Sequence, residues 1–219
     1  MTMTTAKQEF LTKFTMDDPF FEFTRKESAE LWGWNGDLPI FNDLISQMRP
    51  KTVVEVGSWL GQSSCTMARS MRTNDLDSVL ICVDTWLGSL EHWKSPVDRT
   101  HLDLKNGRPT IYESFLTNVD REELSGYVVP LPLPSTIACQ LIADVPVDMV
   151  YIDGSHAYFD VLRDLHDYWP MVRSNGGILF GDDLAWESVS RAVSEFARSI
   201  EILPTIVGPH WVFQKGLPS

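Results

Sequence analysis

The chain of 219 residues holds only three cysteines, Cys65, Cys82 and Cys139, each standing alone and without the paired spacing of metal-binding thiols. An odd, scattered set excludes a disulfide framework, and all three are read as reduced core residues. Positive charge is also scarce: 18 lysines and arginines stand against 30 acids, for a formal net charge of -12 and a pI of about 4.7. Such a surface has no general basic excess to neutralise a phosphate backbone, which argues against nucleic acid as a partner. No apolar run reaches the ~20 residues that cross a bilayer, and Met1 to Phe14 lacks the basic-then-apolar order of a signal peptide. A cytoplasmic location with no membrane partner is therefore expected. No low-complexity tract or fixed-period repeat is present, which removes solenoids and propellers.

What is there is ordinary globular material, with 43% apolar and 22% charged residues, at a length suited to one large α/β domain. The reading is a single domain over residues 1–219, with 1–50 as an N-terminal helical cap and 51–219 as the core. Apolar spacing predicts a helix over Leu38 to Met48, closed by Pro50. Thr52 to Val56 is a β-branched strand followed by Gly57, Ser58 and Gly61 and then by a helical stretch over Gln62 to Met71, the opening of a nucleotide-binding α/β unit. Further strands are expected at Val79–Val83, Tyr127–Leu131, Val147–Ile152 and Ile178–Phe180, with helices from about Pro109 and over Val161–Val172. Glu201–Val207 and His210–Phe213 read as a terminal hairpin turning at Gly208 and Pro209. Strands alternating with helices mean a mostly parallel sheet covered on both faces.

Ligands of such sheets gather beyond the carboxyl ends of the strands, which here carry Gly57, Asp84, Ser135, Asp153 and Asp182. VVEVGSWLGQSS, from Val53 to Ser64, is Glu-x-Gly-x-x-x-Gly and not the dinucleotide fingerprint, since Trp59 and Gln62 stand where that pattern needs glycine. Glu55 before the glycines would repel a pyrophosphate and suits an amino-bearing or cationic ligand. Asp84 ends the next strand, 29 residues after Glu55, where a carboxylate can accept from ribose hydroxyls. A second group, Asp153 with Asp182 and Asp183, places three carboxylates at neighbouring strand ends. Mutual repulsion makes such a cluster costly unless protons or a cation offset it, and hard oxygen ligands suit Mg²⁺ or another divalent ion. The same acids could instead be loop residues or helix caps. His156 lies three residues beyond Asp153, and an imidazole with an ordinary pKa near ~6.5 can accept a proton at neutral pH.

VVEVGSWLGQSS together with ICVDTW resembles the cofactor site of class I S-adenosylmethionine-dependent methyltransferases. That likeness implies a Rossmann-like, mostly parallel seven-stranded sheet with an antiparallel C-terminal hairpin. It also implies S-adenosyl-L-methionine as cofactor, with Gly57 and Ser58 near its methionine part and Asp84 on its ribose. Glu55, Gly61, Ser63, Thr85, Trp86, Ser135 and Asp153 complete the candidate cofactor contacts, Trp86 as an aromatic plane for adenine or sulfonium.

Trp59 between the glycines and the acids after the fourth and fifth strands resemble the catechol-type O-methyltransferases. This implies a metal on Asp153 and Asp182, with Asp183 where that family has asparagine, and a base at His156 where it has lysine. IDGSHAYFDVLRDL followed by GGILFGDDL is closer to the macrocin-type and cephalosporin-hydroxylase-like enzymes, and the likeness runs roughly from Val53 to Leu184. The expected activity is O-methylation of a hydroxylated small molecule, a vicinal diol of a sugar or natural product or a catechol, under a lid formed by Leu87 to Arg108. Trp186 and Tyr158 are expected to flank the acids. A nicotinamide-dependent oxidoreductase and a non-catalytic adenosylmethionine-binding module are the rival readings, and self-association into a homo-oligomer is left open.

Overall fold

The computed structural model describes residues 2–27 and 29–216. In chain order the elements are helices α1 (Thr5–Phe14) and α2 (Pro39–Met48), strand β1 (Thr52–Val56), α3 (Gln62–Thr73), β2 (Val79–Val83), α4 (Leu90–Lys94), α5 (Ile111–Arg121), β3 (Val128–Leu131) and α6 (Ser135–Leu141). They continue with β4 (Met149–Ile152), α7 (Tyr158–Tyr168), β5 (Ile178–Gly181), α8 (Glu187–Ile200), β6 (Thr205–Val207) and β7 (His210–Gln214). The seven strands form one sheet in the order β3-β2-β1-β4-β5-β7-β6. All pairings from β3 to β5 are parallel, and β7 runs antiparallel to β5 and β6, which is the expected sheet with its terminal hairpin. From β1 the chain builds outward to β2 and β3, then crosses back to lay β4 and β5 on the other side, so the reversal point lies between β1 and β4.

The central strands are buried along their whole length, as the continuous apolar runs require. Side chains alternate between two cores: Val54 and Val56 join Ile81, Val150 and α7–α8 on one face, while Val53 joins Met149, Met67 and Phe115 on the other. The N-terminal segment is divided between these faces. Phe10 and Leu11 of α1 pack in the first core and Phe41 and Ile45 of α2 in the second. All three thiols are buried and form no disulfide. None of the described helices is long and apolar enough to cross a membrane.

Several boundaries differ from the expected ones for local reasons. The helix expected over Val161–Val172 begins at Tyr158 and ends at Tyr168, and a short 3-10 turn over Trp169–Met171 follows. Pro170 has no N–H for the α-ladder, and Val172 turns extended to bridge Val147. Of Glu201–Val207 only Thr205–Val207 is strand, because α8 runs on to a left-handed cap at Glu201 and Pro204 delays pairing. α1, α4 and α6 were not legible as helices. α4 and α6 have only five and seven residues, too short to display a helical period.

Candidate active site

A cavity of about 860 Å³ opens at the carboxyl ends of β1, β2 and β4, at the reversal point of the sheet. Gly57 begins the turn after β1 with φ +92°, and a Cβ there would lie 2.1 Å from the Asp153 carbonyl oxygen. Only glycine lets the β1 and β4 ends abut in this way. The Ser58 hydroxyl donates to Glu55 at 2.8 Å, Ser63 donates at 2.5 Å and Ser64 donates as well. Glu55 is wholly buried beneath the turn, where it braces the start of α3. Burial pushes its carboxyl up, and the three hydroxyls counter that shift. Glu55, expected in cofactor contact, does not line the cavity.

Asp84 lines the cavity, and both its oxygens are already engaged: Oδ2 accepts from the Trp59 amide at 2.9 Å and Oδ1 from the Trp86 amide at 2.7 Å. Burial raises its carboxyl, opposed by these amides. Gly57, Ser58, Ser63, Thr85, Ser135 and Asp153 also face the space. Gly61 and Trp86 do not. Gly61, at φ +91°, packs against Phe115, where a Cβ would lie 3.0 Å from the ring. Trp86 is 2% exposed, packs 4.8 Å from Tyr112 and 4.9 Å from Phe115, and donates its indole N–H to the Trp59 carbonyl at 2.8 Å. It holds the floor of the turn and presents no face for adenine or sulfonium to stack on.

The acids group differently from the expected triad. Asp153, His156 and Asp183 each offer a ligand atom, all within 4.8 Å of one another. Asp182 is 3% exposed and committed elsewhere: Oδ1 accepts from the Asp183 amide at 2.7 Å and Oδ2 from Asn35 Nδ2 at 2.9 Å. Tyr151 donates to Asp153 Oδ2 at 3.0 Å, while burial and the Asp183 and Asp182 carboxylates push the Asp153 carboxyl well up. His156 Nε2 lies 2.7 Å from Asp183 Oδ2, Nδ1 lies 3.4 Å from Glu91, and the ring stacks on Trp186 at 4.8 Å. The Asp183 hydrogen bond raises His156 to about 9 against its burial, so the imidazole is protonated at neutral pH instead of free as the expected base. Trp186 flanks the acids as expected. Tyr158 does not, since its hydroxyl bonds Glu195 and its ring lies under Arg191 at 4.7 Å.

One wall was not foreseen. Trp32 to Gly36 form a strap across the cavity mouth, drawn down by the Asn35–Asp182 bond and so close to α3 that a Cβ on Gly36 would lie 2.8 Å from the Ser63 nitrogen. Trp32 meets Trp34 edge-on at 4.6 Å, and Trp59 stacks on His92 of the lid at 4.3 Å. Trp-Gly-Trp-Asn-Gly, two indoles alternating with glycines outside any periodic segment, was the available signal. The lid also contributes Glu91 and Asp98.

Residues 54–184 match the family model described as Methyltransferase domain. The chain belongs to the methyltransferase-domain family. The structure has the fold of Rossmann-like methyltransferases. An O-methyltransferase from Bacillus cereus in complex with SAH superposes with a TM-score of 0.56 at 14% identity, covering 94% of this chain and 87% of that one. The O-methyltransferase TomG from Streptomyces achromogenes, involved in tomaymycin synthesis and solved with SAM, gives 0.59 at 12% identity over 94% and 86%. The O-methyltransferase NovP gives 0.59 at 21% identity over 80% and 76%. In sequence, the uncharacterized protein y4gI of Sinorhizobium fredii is 25% identical over 174 residues, 80% of this chain but only 17% of that relative's length.

Proposed function

We propose that the protein transfers a methyl group from S-adenosylmethionine to a hydroxyl of a small-molecule acceptor, with a divalent cation held by Asp153, His156 and Asp183. The family match carries the methyl transfer. The cavity supports it, lying at the reversal point of the sheet with Gly57, Ser58 and Asp84 on its floor. In this reading Asp84 and Ser135 hold the nucleoside, and the Gly57–Ser58 turn meets the methionine part.

The donor set fits a divalent cation: two carboxylates and one imidazole converge, a cation would replace the proton that Asp183 holds on His156, and it would relieve the like charge that adds to burial in driving the Asp153 carboxyl upward. The chemistry such an ion supplies is stabilisation of negative charge on the acceptor oxygen. The chain's own residues set position. Tyr151 fixes the rotamer of Asp153, Trp186 fixes the plane of His156, and the strap and lid exclude water from the line between acceptor oxygen and methyl carbon. In this reading the acceptor is a vicinal diol or a catechol, and a cytoplasmic setting accords with the three buried thiols.

Calorimetric titration with S-adenosylhomocysteine, with and without Mg²⁺, on wild type and on Asp153→Ala and Asp183→Ala, tests both parts. Nucleoside binding with a metal response lost in the variants supports them. A folded wild type that ignores the nucleoside overturns the methyl-transfer reading, and nucleoside binding with no metal response overturns the cation alone.

A further inference from the structure

We propose that the acceptor carries a protonated amine, seated between the indoles of the strap and the carboxylates of the lid. This rests on the methyltransferase reading and narrows its substrate class.

Charge is the first observation. Among the described residues, seven acids line the cavity against one arginine, Arg163, and the imidazolium of His156, whereas the whole chain holds 30 acids and 18 lysines and arginines. The cavity is thus far more one-sided than the protein around it. Some of these acids have partners: Asp84 holds two backbone amides, Asp160 accepts from Ser155 at 2.8 Å, and Asp153 and Asp183 converge with His156. Glu91 of the lid faces His156 Nδ1 at 3.4 Å and accepts from Ser89 at 3.2 Å, and neither it nor Asp98 has a lysine or arginine partner among the described residues. A wall of this sign repels a carboxylate- or phosphate-bearing acceptor and attracts a cation.

The aromatic surface is the second. Trp34 is 58% exposed, yet lines the cavity, with its ring 4.6 Å from Trp32 and 6.4 Å from Trp59. The Trp59–His92 stack then leads directly to Glu91 on the same short helix. Indole faces beside a carboxylate are the combination that holds an alkylammonium group, through attraction to the ring quadrupole and to the neighbouring negative charge. The third is Gln62, whose Oε1 is buried, lines the cavity and has no donor. A ligand N–H meets that need, while the Trp59 Nε1–H in the same lining, also without a partner, takes an acceptor such as a hydroxyl.

The test uses three forms of one diol frame with S-adenosylhomocysteine and Mg²⁺ saturating, so that the nucleoside and cation are already in place. Glucosamine, glucose and glucuronate form one set; dopamine, 4-methylcatechol and 3,4-dihydroxybenzoate form another. Binding is read from tryptophan fluorescence at low and high salt. The expected result in at least one set is an about tenfold preference for the amine over the neutral form, with the acid weakest, shrinking as salt is raised. The preference should collapse in Glu91→Gln combined with Asp98→Asn, while Trp34→Ala weakens the amine most. Equal or tighter binding of the neutral or acidic form in both sets, or no binding of either amine, overturns the proposal. Because S-adenosylhomocysteine binding is measured first, that outcome leaves the methyl-transfer reading standing, and loss of nucleoside binding is seen separately.

Discussion

On the sheet side of the cavity, three serines close on Glu55 and two backbone amides close on Asp84, and the Gly57 turn has no space even for a methyl group. Across the opening, Trp34 stands 58% exposed and Trp186 49%. The carboxylates of the first wall are satisfied, buried groups that have one arrangement; the second wall is built from surfaces with spare contact capacity. Under the proposed function this division suits a site with one constant ligand, the nucleoside, on the preorganised wall and the acceptor on the open one.

The largest effect that would break the contrast is expected at Gly57. Gly57→Ala sets a side chain at positive φ against the Asp153 carbonyl and should cost more than about 3 kcal/mol, seen as a large fall in urea midpoint with loss of nucleoside binding. Asp84→Asn keeps the shape but turns a donor toward one amide; about 2 kcal/mol of stability and at least tenfold in S-adenosylhomocysteine affinity should go with it. Preserved affinity would show that Asp84 only braces the turn.

Asp164 sharpens the comparison through pH. Burial lifts its carboxyl to about 6 from an ordinary 3.8, so the folded protein binds this proton more tightly than the unfolded chain. Its stabilising contribution is full below about 3.8 and is lost as pH rises through about 6. Asp164→Asn should therefore gain stability over wild type as pH climbs through that window and then level off, by roughly 3 kcal/mol at neutrality, measured as urea midpoints across pH. A difference independent of pH would remove the burial explanation. The smallest stability effect belongs to the open wall: Trp34→Ala should leave the melting temperature nearly unchanged, within about 0.5 kcal/mol, while weakening acceptor binding.

The same contrast explains what the sequence made legible. β1, its glycine turn and Asp84 are adjacent in sequence or tied to strand ends, so their apolar runs and spacing announced them. Glu55 was placed at the cofactor because a strand-end acid resembles a ligand contact, but nothing in its spacing showed that Ser58, Ser63 and Ser64 would enclose it. Asp182 was expected beside Asp153, and its diversion depends on Asn35, 147 positions away. Trp32 and Trp34 carry no period that points them anywhere; only the fold brings them to the mouth. Trp86 lies away from the cavity for the converse reason, since a position just past Asp84 does not disclose which way a left-handed residue turns its ring.

That bond between Asn35 and Asp182 also has a meaning in time. It closes a very long loop, and such contacts form late because the chain must surrender most of its freedom before they reward it. The local β1–α3–β2 unit needs no such closure. On refolding, the Gly57 turn and Asp84 should be assembled before the strap is seated, so under the proposed function part of the nucleoside site would form ahead of the wall that selects the acceptor.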